Sequence, residues 1–419
     1  MEASTLTLIV LCVSSILFAT EVIPLAVTAM GAAIALGLLG VLTPQQVFSG
    51  LSNSTVVLFA GMFVIGAAMF QTGLAQKIGI TVVKAAGTGE KRLMLALMLV
   101  TVVLSAISSN KATVACLLPV VVQICAAAKL SPSSQLMSLA VAANVGGTIT
   151  LIGTPPNILM SATLENSGLQ PFGFFEFAWI GIPLSLMGML YMMTIGRRLC
   201  PHEETDNVAS DSASASVGDS RKMMICAGIL CAVVVAMVLE KQIHVPMHMS
   251  SIIGALACVL TGCLSEKQAY KGVDWTTIFL FAGMLPLASA MDKTGAGSLI
   301  ANTVVGMIGG NPDPMVIVVA MFLLSCGLTQ FMSNTASAAL LAPIGISIAE
   351  SIGVSPLPIL MTIGIAASCA FTTPVATPPN TLVLGPGKFR FMDYVKIGTP
   401  LVVLSLFVCM VVIPLVWPF

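Results

Sequence analysis

The chain has 419 residues, 57% of them apolar and 8% charged, and its seventeen basic and seventeen acidic side chains cancel to zero formal charge. With a mean hydropathy of +1.03 it cannot be a soluble globule, where about a quarter of residues are charged. The zero balance argues against a nucleic-acid partner, which leaves a polytopic membrane protein.

A spanning helix needs about 20 apolar residues, and residues 6–23, 25–42 and 56–74 qualify as three crossings. No basic residue precedes the first run, so it reads as a retained span and not as a cleavable signal peptide. Next come two runs, 93–107 and 114–128, each of 15 residues and parted by the polar island Ser108-Ser109-Asn110-Lys111-Ala112-Thr113. Their length predicts a re-entrant helical hairpin, with the island at its tip near the middle of the membrane.

Residues 135–164 are long enough to cross but contain Gly153-Thr154-Pro155-Pro156, whose prolines remove amide donors and disfavour helix just before them. This crossing is expected to be two half-helices around an unwound break, which lipid tolerates only where the backbone is buried in protein or lines a site. Residues 174–195 make the fifth crossing, and 200–220, acidic and rich in Ser and Ala, read as a soluble linker. The second half repeats the plan, with crossings near 223–239, 250–264 and 276–291. A hairpin over 315–349 follows, then a broken helix over 357–384 and a last crossing over 396–417.

The repetition is literal in places. Ser333-Asn334-Thr335 answers Ser109-Asn110-Lys111, Ala376-Thr377-Pro378-Pro379-Asn380 answers Gly153-Thr154-Pro155-Pro156-Asn157, and Phe281-Ala282-Gly283-Met284 answers Phe59-Ala60-Gly61-Met62, at offsets of 222 to 224. The chain is therefore a tandem duplication, roughly 1–200 and 222–419. Five crossings per repeat is an odd number, so the two copies must lie inverted in the membrane.

With the linker in the cytoplasm, fourteen of the seventeen basic residues fall inside, Lys241 and Lys293 outside and Lys111 within the membrane. Both termini are then extracytoplasmic in a cell inner or plasma membrane, the first hairpin opens from the cytoplasm and the second from outside. The expected division is a scaffold from 1–80 and 222–308, a transport domain from 81–199 and 309–419, and the linker 200–221.

Inverted repeats with paired hairpins and broken helices are how secondary transporters build a site at the midplane. Half-helix N-termini carry partial positive charge toward an anion, and exposed carbonyls and hydroxyls can coordinate a cation. Ser, Thr and Asn suit this because they offer neutral donors and acceptors.

Two Ser-Asn islands, each followed by its own Thr-Pro-Pro-Asn break in this order, resemble the divalent anion/sodium symporter family, the INDY-type carriers of di- and tricarboxylates. The resemblance covers essentially the whole chain. It implies a carboxylate held at one end by Ser109, Asn110, Thr154 and Pro155, and at the other by Ser333, Asn334, Thr335, Thr377 and Pro378. A first sodium would use Ser105, Ser109, Asn110 and Gly153, and a second Thr329, Asn334, Met332 and Ala376. It also implies a homodimer in the lipid bilayer working by an elevator motion, with sodium as coupling ion and no other cofactor. This sequence departs from the family in having ten crossings without an extra N-terminal helix, and in carrying Lys111 where the family has Thr, a candidate to replace a sodium charge.

Other readings compete. Ser and Asn in membrane helices often only join helices by hydrogen bonds, and the twenty-six methionines read as apolar filler. The eleven cysteines, among them Cys116, Cys258, Cys326 and Cys409, sit singly without metal-ligand spacing and read as buried thiols. His202, His244 and His248 and the acids fall near predicted helix ends, which argues against a membrane-embedded enzyme. A channel is disfavoured by the broken helices. Succinate, malate, fumarate, citrate and an inorganic oxyanion such as sulfate all remain open as substrates, as does sodium-independent exchange.

Overall fold

A computed structural model describes residues 2–86, 89–128, 130–201, 219–307 and 312–419. Among these residues the structure is all helical, without a strand. The first half runs α1 (Ala3–Thr20), α2 (Leu25–Leu38), α3 (Pro44–Val47), α4 (Ser54–Gln71), α5 (Leu74–Ala86), α6 (Glu90–Ile107), α7 (Asn110–Ala128), α8 (Pro132–Gly146), α9 (Pro155–Asn166) and α10 (Ala178–Tyr191). A π-helical turn, Met192–Gly196, then leads into α11 (Arg197–Leu199).

The second half runs α12 (Ser220–Val238), α13 (Glu240–Ile243), α14 (Met247–Leu260), α15 (Glu266–Gly272), α16 (Trp275–Thr294) and α17 (Ala296–Met307). It continues with α18 (Pro314–Thr329), α19 (Asn334–Ile352), α20 (Pro356–Ser368), α21 (Pro378–Leu384) and α22 (Phe391–Val416). Eight of the described helices are long and apolar enough to cross a membrane. The acidic stretch expected as a linker lies, over 202–218, outside the described residues.

Local chemistry sets the boundaries. The first crossing ends at Thr20 because Glu21 turns left-handed, with φ 49°, ahead of Pro24, and the second stops before Gly40, whose φ is 74°. Asn53 caps α4 through the Thr55 and Val56 amides, and Asp274 caps α16 through the Thr276 and Thr277 amides.

The length argument for the hairpins does not survive. Their arms are 18 and 19 residues in the first copy and 16 and 19 in the second, and at 1.5 Å per residue nineteen residues reach about 28 Å. The second arms are longer because Asn110 and Asn334 are themselves helical and form the first turns of α7 and α19, and α6 is longer because it already starts at Glu90. Besides short connecting helices, two helices of 13 and 12 residues were not anticipated. α5 packs on α6 and α7, and α17 packs on α19 and α16, so each lies against a hairpin. Their polar faces, with Gln76, Lys77 and Asn302 among the apolar positions, kept them from registering as spans.

The two halves interlock. α2 packs on α16 and α14 packs on α4, so the second span of each copy lies against a later span of the other. The approach is too close for a side chain: a Cβ on Gly61 would stand 2.8 Å from the Ser251 backbone, and one on Gly283 only 2.3 Å from that of Ala29. This accounts for the Phe-Ala-Gly-Met echo, since small residues let membrane helices meet backbone to backbone. The flanking Phe59 and Phe281 stack on each other with ring centroids 6.0 Å apart.

Candidate functional site

Four helices start at the polar positions singled out in the sequence. α7 starts at Asn110 and α9 at Pro155, after Thr154. α19 starts at Asn334, where the Ser333 hydroxyl accepts from the Ala336 amide at 3.1 Å, and α21 starts at Pro378, after Thr377. The breaks are held open by their asparagines. Asn157 Nδ2 donates to Thr150 O at 2.9 Å, and Asn380 Nδ2 donates to Thr373 O and Ala370 O, both at 2.9 Å. These amide bonds satisfy carbonyls that an unbroken helix would have paired.

All four starts open on one cavity of about 630 Å³. Ser109, Asn110, Lys111, Gly153, Thr154 and Pro155 line it from the first copy, and Ser333, Asn334, Thr335, Ala376, Thr377 and Pro378 from the second. Three other expected positions differ. Ser105 and Thr329 are fully buried behind the wall, touching the site only through Asn110 and Asn334, and Met332 is buried outside the lining. Lys111 is an exposed wall residue. Exposed Lys271, Asp274 and Thr276 mark the mouth, and Phe59, Met62, Phe63 and Phe70 of α4 form an apolar flank. The sequence reading missed that flank and also missed Asn144, although an amide inside an apolar run was a signal in plain view.

Behind each island, oxygens crowd together. Thr329 Oγ1 stands 2.6 Å from Asn334 Oδ1 and 2.8 Å from Ala367 O, yet a hydroxyl has one proton to give. In the first copy Ser105 Oγ meets Asn110 Oδ1 and lies 2.8 Å from Ala143 O. Asn110 Oδ1 is also 3.1 Å from Ala143 O and 3.2 Å from Gly153 O, contacts that become hydrogen bonds only if the amide is turned over. Gly147 borders this cluster, and a Cβ there would stand 2.5 Å from Asn110 Oδ1 and 3.0 Å from Gly153 O. Among the described residues no group of His, Cys, Asp or Glu could hold a metal ion, so any cation here is held by neutral oxygens.

A family model described as a citrate transporter matches residues 15–351 and 288–419. The chain belongs to the citrate transporter family. Among curated relatives, the sodium-dependent dicarboxylate transporter SdcS of Staphylococcus aureus is 27% identical over 95% of this chain and 83% of its own length. An uncharacterized transporter of Haemophilus influenzae is 30% identical over 95% and 88%, and the uncharacterized transporter YfbS of Escherichia coli is 27% identical over 98% of each. Among solved structures, the YdaH transporter of Alcanivorax borkumensis superposes with a TM-score of 0.70 at 16% identity, covering 96% of this chain and 98% of that one. MtrF of Neisseria gonorrhoeae does so at 0.66 and 14%, over 99% and 94%. At such identities these two speak for the fold alone. As a citrate transporter family member the chain is a membrane transporter and not an enzyme.

Proposed function

We propose that this protein is a secondary active transporter of di- and tricarboxylate anions, coupled to sodium. The observation that carries the reading is the convergence of four helix starts and two oxygen clusters on one cavity. Helix starts carry partial positive charge that attracts anions, through free amides at α7 and α19 and through the dipole alone at the Pro-Pro starts of α9 and α21, and starts from both halves suit an anion charged at both ends. Ser109, Asn110, Thr154 and Pro155 would hold one end, and Ser333, Asn334, Thr335, Thr377 and Pro378 the other.

The clusters at Asn110 and Asn334 are read as sodium sites. With sodium bound, each Oδ1 faces the ion together with the neighbouring hydroxyl and carbonyl oxygens. Without it, the Asn110 amide turns its NH2 to Ala143 O and Gly153 O. The naming of SdcS as sodium-dependent supports the same ion here.

Inverted repeats, an elevator motion of α6 to α10 and α18 to α22 against the other helices, and a homodimer belong to this reading. Matched contacts between the halves support the inversion, above all Phe59 stacked on its own counterpart Phe281. In the orientation given by the basic residues, Lys271 and Asp274 put the open mouth on the cytoplasmic side.

A second reading, sodium-independent exchange, is favoured by one observation: Lys111 brings a fixed positive charge into the wall where the other copy has Thr335. Uptake of labelled succinate into proteoliposomes decides between them. Accumulation driven by an inward sodium gradient supports symport, while uptake only against internal succinate supports exchange. No uptake of succinate, citrate or sulfate under any gradient defeats both.

A further inference from the structure

The two halves of the site differ in what holds their break threonines. Asn380 Nδ2 gives its two hydrogens to Ala370 O and Thr373 O, each at 2.9 Å, so its Oδ1 must face the other way. There it accepts from Asn144 Nδ2 at 3.2 Å, and the second hydrogen of that same nitrogen goes to Thr377 Oγ1 at 3.3 Å. Backbone carbonyls thus set the Asn380 amide, which sets the Asn144 amide, which makes the Thr377 hydroxyl an acceptor on that side. A hydroxyl has one proton, and that of Thr377 is left to point elsewhere. Thr377 lines the cavity.

The counterpart arrangement is looser. Ser368 stands in the other copy where Asn144 stands in the first. Its hydroxyl lies 3.1 Å from Gly364 O and 3.4 Å from Thr154 Oγ1. With its proton on the nearer carbonyl, Ser368 accepts from Thr154 instead of donating to it. Asn157 Oδ1, the counterpart of the satisfied Asn380 Oδ1, is buried without a partner. The Thr154 proton is therefore not forced into the cavity.

We propose that Asn144 is a positioning residue that fixes the Thr377 hydroxyl as a donor to the bound anion. The second half of the site then calls for an acceptor oxygen of the ligand at that point, while the first half also accommodates a hydrogen-bond donor there. This rests on the reading of the cavity as an anion site.

The test is a double-mutant cycle in the purified full-length protein, using Asn144→Ser, Thr377→Val and the pair. The wild type is first titrated with succinate, citrate and sulfate in the presence of sodium, and the cycle uses an anion that binds. Each single variant should weaken binding about tenfold, the scale of a lost hydrogen bond to a charged group. The pair should be no weaker than either single variant to within about twofold. Thr377→Ser, which keeps the hydroxyl, should keep the dependence on Asn144. Effects that multiply, or no effect of Asn144→Ser, overturn the proposal.

The thermal unfolding midpoint without any anion is the second readout. Asn144→Ser should lower it by leaving Asn380 Oδ1 unpaired, and Thr377→Val, which strips only one Asn144 hydrogen of its acceptor, should lower it less. An unchanged midpoint in Asn144→Ser overturns the relay. Failure of the wild type to bind any of the three anions defeats the carboxylate reading instead, and the midpoints then decide the relay alone.

Discussion

Thr55 Oγ1 donates to Glu165 Oε2 at 2.9 Å and ties the start of α4 to the end of α9. The Ser54 hydroxyl and Asn53 Nδ2 reach the same carboxylate, while Asn166 Nδ2 reaches Ser289 Oγ at 2.7 Å and Leu285 O at 3.3 Å on α16. α4 has 18 residues, so this cluster lies about 25 Å from the mouth beside Phe70. In the proposed elevator motion these bonds would hold the far side shut and would have to break when the site changes sides.

Glu165→Ala should therefore shift the resting population toward the opposite opening by about tenfold, the scale of a lost charge-assisted hydrogen bond. The measure is the sidedness of labelling of Ser109→Cys by an impermeant thiol reagent, in a background without the exposed Cys12 and Cys231. Unaltered sidedness would show that the contact does not hold a gate. Thr113 and Ser337, deeper in the two hairpins, are fully buried and unsuited as reporters.

Asn110→Ala and Asn334→Ala should each weaken anion binding about tenfold or more while leaving the protein folded, because in the proposed reading each amide would donate to a charged oxygen of the anion. Titration with succinate in detergent or nanodiscs checks this. Normal affinity in both variants removes them from the site.

Gly147→Ala should weaken sodium at the first cluster and, by displacing the Asn110 amide, weaken the anion too, since the added methyl would stand 2.5 Å from Asn110 Oδ1 and 2.8 Å from its Nδ2. The matching position in the second copy is already Ala370. The expected result is a shallower sodium dependence of uptake, with a loss of anion affinity no larger than that of Asn110→Ala. An unchanged sodium response would mean that no ion binds there.

Lys111→Thr restores the residue type of the other copy. If the ammonium stands in for an ion, the steepness of the sodium dependence should rise in the variant. The same sodium curve as the parent would place Lys111 at the mouth as a solvated residue, where a membrane-depth charge avoids its desolvation cost.

Much of this was legible in the chain because repetition acts as its own control. The echoes around Asn110 and Asn334, and around Thr154 and Thr377, located the cavity wall before any coordinates. Hydropathy located most spans but not α5 or α17, whose polar faces dilute the average. It also misjudged the hairpin arms, since Asn110 and Asn334 look like breaks in sequence and are helix starts in space. Asn144 stood out as an amide in an apolar run, but its role did not: its partners Thr377 and Asn380 lie more than two hundred residues away, and no local pattern announces such a pair.

The bonds that cross between the halves carry a consequence for biogenesis. When the ribosome has delivered only the first repeat, Asn144 has neither Thr377 nor Asn380 to bind, and Gly61 has no Ser251 to meet. The break around Thr154 then sits in the bilayer with its polar backbone uncovered, which hydrocarbon tolerates poorly. The first half must wait for the second, so its survival during synthesis depends on the translocon or a chaperone shielding that break. Expressed alone, either half would be an orphan for quality control, whereas the two halves made together as separate chains have the surfaces needed to find each other.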